Sequence, residues 1–94
     1  MPYSVDYSTQ FKRSLKLCKK RGLDIDILRK AIALLVENGC LPASYRPHIL
    51  HGKYEGVWEC HLKGDWLLLW TQNDHELTLL LLDTGSHSDL FDHS

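Results

Sequence analysis

Val57-Trp58-Glu59-Cys60-His61-Leu62-Lys63-Gly64-Asp65-Trp66-Leu67-Leu68-Leu69-Trp70 is the stretch that decides the fold. Through Leu62 its side chains alternate with the two-residue period of a strand that buries one face. Trp58, Cys60 and Leu62 share one face, and Val57, Glu59 and His61 share the other. Lys63-Gly64 has the composition of a turn, and Trp66 to Trp70 then runs apolar without a break. Toward the C-terminus, Asn73-Asp74-His75 makes another turn and Leu77 to Leu82 a last strand. Thr84 to Phe91 follows as a short turn or helical stub, and His93 falls in the tail.

Upstream of about residue 52 the spacing turns helical. Asp24 can cap a helix that reaches about Glu37, with Ile25, Leu28, Ile32 and Leu35 on one face and Asn38-Gly39 as its stop. Before it, Ser8 or Thr9 can cap a helix to about Arg21, with Phe11, Leu15 and Cys18 as the apolar stripe and Gly22 just past its end. Tyr3 to Tyr7 alternates as a short first strand, and Leu41 to Gly52, with Pro42 and Pro47, reads as a loop. The expected class is α+β, with two N-terminal helices packed on an antiparallel β-sheet. One domain is expected over residues 1–94.

Bulk composition narrows the function. Eleven Lys and Arg against twelve Asp and Glu give a net charge of −1, so overall charge does not announce a nucleic-acid binder. The bases are unevenly placed, however. Lys12, Arg13, Lys16, Lys19, Lys20 and Arg21 form a run that is either a solvated helix face with dipole compensation or a phosphate-facing surface. Three scattered cysteines with no Cys-x-x-Cys pair suggest neither a disulfide framework nor a thiolate zinc site, and a reduced, cytoplasmic setting fits. The N-terminus shows no apolar signal region, and no apolar run approaches the ~18 residues of a membrane span. Two strands are apolar on both faces, whereas two helices most naturally cover only one side of a sheet. Either the helices and the long loop wrap the sheet, or a partner protein or a second copy of the chain covers the other side.

Five of the six histidines, His48, His51, His61, His75 and His87, lie between residues 48 and 87. Imidazole exchanges protons near neutral pH, and Asp65 stands close to His61 in sequence. Together they suit acid–base chemistry without a cofactor. His75, in a turn, reads as a bystander. A metal centre built from His48, His51, His61, His87 and Asp65 is a rival reading, but no tight helical pair of histidines supports it. The expected metal and cofactor content is therefore none.

Four segments carry a resemblance: Tyr45-Arg-Pro-His48-Ile-Leu-His-Gly52, Gly56-Val-Trp-Glu-Cys-His61, Asp65-Trp66 opening an apolar strand, and Gly85-Ser-His87-Ser-Asp-Leu-Phe91. With the order of elements, they make the chain similar to the RelE/ParE superfamily of bacterial toxins, and within it to the YafQ family of ribosome-dependent messenger-RNA endonucleases. The position where the family carries an arginine ahead of the strand histidine is Trp58 here.

The resemblance implies an active site of His48, His61, Asp65 and His87. His87 would be the general acid, Asp65 the general base or the residue that orients one, and His61 and His48 the stabilisers of the scissile phosphate. Trp66 and Phe91 would hold RNA by stacking, although Trp66 reads equally well as core. Lys53 and the first-helix bases become candidate phosphate or ribosome contacts. The implied partners are a cognate antitoxin, the ribosome and messenger RNA, with no membrane. The alternative is a RelE/ParE-like toxin that binds another target without catalysis.

Overall fold

A computed structural model describes residues 2–91. Strand β1 (Ser4–Tyr7) leads into helices α1 (Thr9–Lys20) and α2 (Ile25–Asn38), followed by β2 (His48–Ile49), β3 (Trp58–Lys63), β4 (Trp66–Asn73), β5 (Thr78–Gly85) and α3 (His87–Phe91). The α+β class and the helix-on-sheet packing are as expected. The five strands lie in the order β1-β5-β4-β3-β2, with β1 parallel to β5 and every other pair antiparallel, so the sheet is mixed. Alternation in a single strand carries no information on direction. The partner of β1 is the distant β5, so no hairpin turn constrains how the two align.

The helix ends follow the sequence. The Ser8 hydroxyl accepts from Phe11 N–H at 2.9 Å and donates to the Leu82 carbonyl at 2.7 Å, so one cap starts α1 and ties it to β5. Asp24 accepts from Asp26 N–H at 3.1 Å to start α2. Gly39 ends α2 at φ 69°, and its N–H reaches the Leu35 carbonyl at 2.7 Å. The face of α2 that is fully buried is Leu28, Ala31 and Leu35, while Ile25 and Ile32 are half-buried beside it.

β4 supplies two cores. Trp66, Leu68 and Trp70 join Phe11, Cys18, Leu28, Leu35, Cys60, Leu79 and Leu81 beneath the helices. Leu67 and Leu69 point the other way, where α3 brings Leu90 and Phe91, and Leu50, Val57 and Leu82 close the cluster. The apolar second face is thus covered from within the chain. Among the described residues, the large hydrophobic side chains that stay exposed, Tyr7, Leu17, Ile49 and Leu80, lie on β1, α1, β2 and β5. Surplus apolar area is accordingly no argument for a partner. Among the described residues no helix is long and apolar enough to cross a membrane.

α3 is short for a free helix, and polar contacts hold it in place. Asp89 N–H donates to the Ser86 hydroxyl at 3.1 Å, and Ser86 N–H donates back to the Asp89 carboxylate at 2.9 Å, a capping box. Arg21, at the end of α1, grips the same carboxylate through two nitrogens at 2.6 and 3.3 Å. The Arg21 guanidinium first, and the Ser86 N–H second, hold the Asp89 carboxyl down to about 2.

Because the folded value lies below the unfolded one of about 4, the stabilisation is complete above pH ~4 and is lost as pH falls toward 2. The pair is partly exposed, so solvent screening limits it to about 1 kcal/mol. Asp89→Asn is expected to lower the melting temperature by ~4–8 °C at pH 7. The gap to wild type should narrow as pH falls from about 4 to about 2 and close only below that. Equal melting curves at pH 7 would show that the clamp contributes nothing.

Candidate active site

The site forms where the β3–β4 turn meets the start of α3. Gly64, at φ 56°, turns the chain between β3 and β4 and delivers Asp65 to the surface. His87 opens α3, its ring Nδ1 against Asp65 Oδ1 and its backbone N–H on the same oxygen at 3.3 Å. The His87 ring first, and its backbone N–H second, hold the Asp65 carboxyl below the usual carboxylate range. An ionised carboxylate stabilised in this way is a poor proton acceptor but a good orienting group. With Nδ1 committed to Asp65, the Nε2 of His87 is left to exchange a proton.

His61, on β3, presents its ring with the centroid 5.9 Å from that of His87. A second group of contacts surrounds it. Strands β2 and β3 pair His48 with Glu59, one of the two polar or charged residues buried among the described residues. His48 Nε2 lies 3.2 Å from Glu59 Oε1, and His61 Nε2 lies 3.9 Å from the same oxygen. His48 Nδ1 contacts the Arg46 carbonyl at 3.1 Å. Both nitrogens of His48 therefore face acceptors. Arg46 donates from its guanidinium to His61 Nδ1 at 3.3 Å, which makes that nitrogen the acceptor and puts the ring hydrogen on Nε2.

The structure thus brings His48, His61, Asp65 and His87 to one surface. Phe91 lies beside them, its ring 6.2 Å from that of His87 and edge-on to Tyr54 at 5.2 Å. Lys53 is exposed, its ammonium 5.8 Å from the centre of the Tyr54 ring. Trp66 is placed differently. It is 6 % exposed, and its indole N–H is spent on Thr84 Oγ1 at 2.9 Å, so it has no face to offer RNA and is a core residue.

Trp58 also faces the core, stacked on Trp70 at 6.0 Å. The basic side chain that touches the site is Arg46, through His61. His75 lies in the turn between β4 and β5, at the far end of that hairpin from Asp65. His51 precedes a 3₁₀ turn, Gly52–Tyr54, and is exposed. His93 lies outside the described residues.

Sequence reasoning missed Arg46, Glu59 and Tyr54. For Glu59 a signal was present, since it shares a strand face with His61. Arg46 and Tyr54 flank β2, and a two-residue strand shows no periodicity. The loop expected over Leu41 to Gly52 in fact contains a 3₁₀ turn, Ala43–Tyr45, and that strand.

Of the six bases of the run from Lys12 to Arg21, five are unpaired among the described residues, while Arg21 is held by Asp89 and shares a cleft with Asp65. Of the four candidate side chains, His61 borders a shallow cleft of about 490 Å³ and Asp65 one of about 260 Å³, both open to the surface. The cleft of about 390 Å³ next to α3 is bounded instead by Gln10, Tyr54, Val57, Leu69, Leu82, Asp83, Asp89 and Leu90. An open surface of this kind suits a polymer better than a small molecule.

Comparison with known proteins bears on the same segments. The profile of the family described as the YafQ bacterial toxin of type II toxin-antitoxin systems matches residues 3–92. A protein of Escherichia coli K12 named mRNA interferase toxin YafQ is 35% identical over 88 residues, which is 93% of this chain and 94% of that one. The crystal structure of the E. coli DinJ-YafQ toxin-antitoxin complex superposes with a TM-score of 0.86 at 34% identity, covering 97% of this chain and 99% of that one. A metal-bound toxin from Helicobacter pylori superposes with a TM-score of 0.85 at 37% identity, covering 97% and 100%. Among the described residues of this chain, no group of three or more His, Cys, Asp or Glu side chains is arranged to hold a metal ion. The match runs from β1 to α3, and on that basis the chain belongs to the YafQ family of bacterial toxins of type II toxin-antitoxin systems.

Proposed function

We propose that this toxin is a ribosome-dependent messenger-RNA endoribonuclease that works without a metal and acts in the cytoplasm as one domain over residues 1–94. The carrying observation is the His87–Asp65 pair beside His61, with the two imidazole ring centres 5.9 Å apart. In-line cleavage of RNA takes a proton from the ribose 2′-OH, forms the bond from that oxygen to phosphorus, breaks the bond from phosphorus to the 5′-oxygen, and returns a proton to that oxygen. The products are a 2′,3′-cyclic phosphate and a 5′-hydroxyl.

His87 Nε2 protonates the departing 5′-oxygen. Asp65 takes the orienting one of its two open roles, because a carboxylate held ionised by His87 accepts a proton poorly. The 2′-OH proton then falls to His61. His48, steadied by Glu59, stabilises the developing phosphorane charge. Phe91, braced on Tyr54, is the stacking face for a base. Lys53 and the exposed bases of α1 meet phosphates of messenger or ribosomal RNA.

The DinJ-YafQ complex, with its TM-score of 0.86 to this chain, supports a cognate antitoxin as the partner. The test is to add the protein to a translating extract and map the ends of the message. New 5′-hydroxyl ends within translated reading frames are expected, and the antitoxin should suppress them. Arrested translation with intact message would overturn the reading in favour of a non-catalytic toxin.

A further inference from the structure

Arg46 occupies an unusual place. It ends the Ala43–Tyr45 turn at φ 48°, the left-handed region, which arginine seldom adopts. That conformation lets one residue touch two histidines of the site. Its carbonyl meets His48 Nδ1 at 3.1 Å, and its guanidinium meets His61 Nδ1 at 3.3 Å. Strain held at a site is grounds for asking what it serves.

The guanidinium is also underused. It carries five donors in a planar fork matched to an oxyanion. Here one donor serves a neutral ring nitrogen. Among the described residues Arg46 has no carboxylate partner, whereas Arg21 and Arg29 are paired with Asp89 and Asp26. A phosphodiester can accept two charge-assisted bonds from such a fork, a better partner than an imidazole. While Arg46 stays on His61, the lone pair of Nδ1 is occupied and cannot take a proton.

We infer that Arg46 is a phosphate-binding residue of this site, parked on His61 in the free protein. When a phosphodiester arrives, the guanidinium moves to its oxygens and uncovers His61 Nδ1, which accepts the 2′-OH proton. Substrate arrival and availability of the base are thereby coupled through one side chain. The uncovering step rests on the RNA-cleavage reading, while phosphate binding by Arg46 stands on its own.

Arg46→Gly is the informative variant, because glycine takes the left-handed backbone freely and leaves the carbonyl where His48 needs it. Protein with ¹⁵N-labelled histidine is titrated with a 2′-deoxy dinucleotide monophosphate, which cannot be cut, and with inorganic phosphate. In wild type the His61 Nδ1 resonance should move and saturate with either. In Arg46→Gly it should start at the uncovered position and stay there, with dinucleotide affinity lowered about tenfold or more. Cleavage of translated message should fall on the order of 100-fold with an unchanged melting temperature, and Arg46→Lys should fall between.

Equal affinity for the dinucleotide, or an identical His61 response, in wild type and Arg46→Gly overturns the inference. Should wild type itself leave message intact, the cleavage reading and the uncovering step fail together, and phosphate binding is judged by the titration alone.

Discussion

His87→Ala is expected to abolish cleavage of translated messenger RNA, with a loss of at least the ~10²–10⁴-fold typical of a general acid. The fold should hardly notice. The ring of His87 is exposed, and its partners are Asp65 and the open surface shared with His61 and Phe91. Antitoxin binding should likewise survive, which separates loss of chemistry from loss of structure. His75→Ala, in the turn at the opposite end of the β4–β5 hairpin, is the matched control and should cut at the wild-type rate. The comparison belongs on translating ribosomes, where the message is presented. The assignment is falsified if wild type cuts and His87→Ala cuts equally fast. Repeating the wild-type reaction in a strong chelator tests the metal-free reading, since undiminished cleavage is expected.

Trp66→Ala is expected to act on stability rather than on RNA. Deleting a buried tryptophan costs ~3–5 kcal/mol, a large share of the ~5–15 kcal/mol that holds a domain together. For a chain of this size that is a fall in melting temperature on the order of 15–30 °C. The residue earns this through packing with Leu68, Trp70 and Cys60 and through its N–H bond to Thr84, whose own hydroxyl hydrogen goes to the Leu67 carbonyl at 2.7 Å. Trp66→Phe keeps most of the packing and loses the hydrogen bond, so about 1 kcal/mol is expected there. A stacking residue would behave in the opposite way, with an unchanged melting curve and RNA binding weakened by roughly 1–3 kcal/mol. Thermal melts of the two variants decide between them.

Local sequence determined the elements and one face of each. Ser8, Asp24 and Gly39 mark helix ends because capping satisfies backbone groups within a few residues of the cap. The alternation from Val57 to Leu62 placed Trp58, Cys60 and Leu62 together, and the core indeed takes that face. The residues His48, His61, Asp65 and His87 were named from the chain and its family resemblance, since residue type sets what a side chain can do with a proton.

Tertiary structure decided the rest, because it depends on contacts between residues far apart in the chain. The parallel pairing of β1 with β5 joins segments that no turn connects. Trp66 reads alike as a stacking face or as core until β5 brings Thr84 to its N–H. A two-residue strand has no period to read, so only its pairing with β3 shows that His48 sits opposite Glu59. The same pairing carries Arg46 to His61, fifteen residues on, and the Arg21–Asp89 clamp seats the helix that presents His87. Chemistry was written in residue types, whereas the orientation of each ring and the partner of each charge waited on the packed sheet.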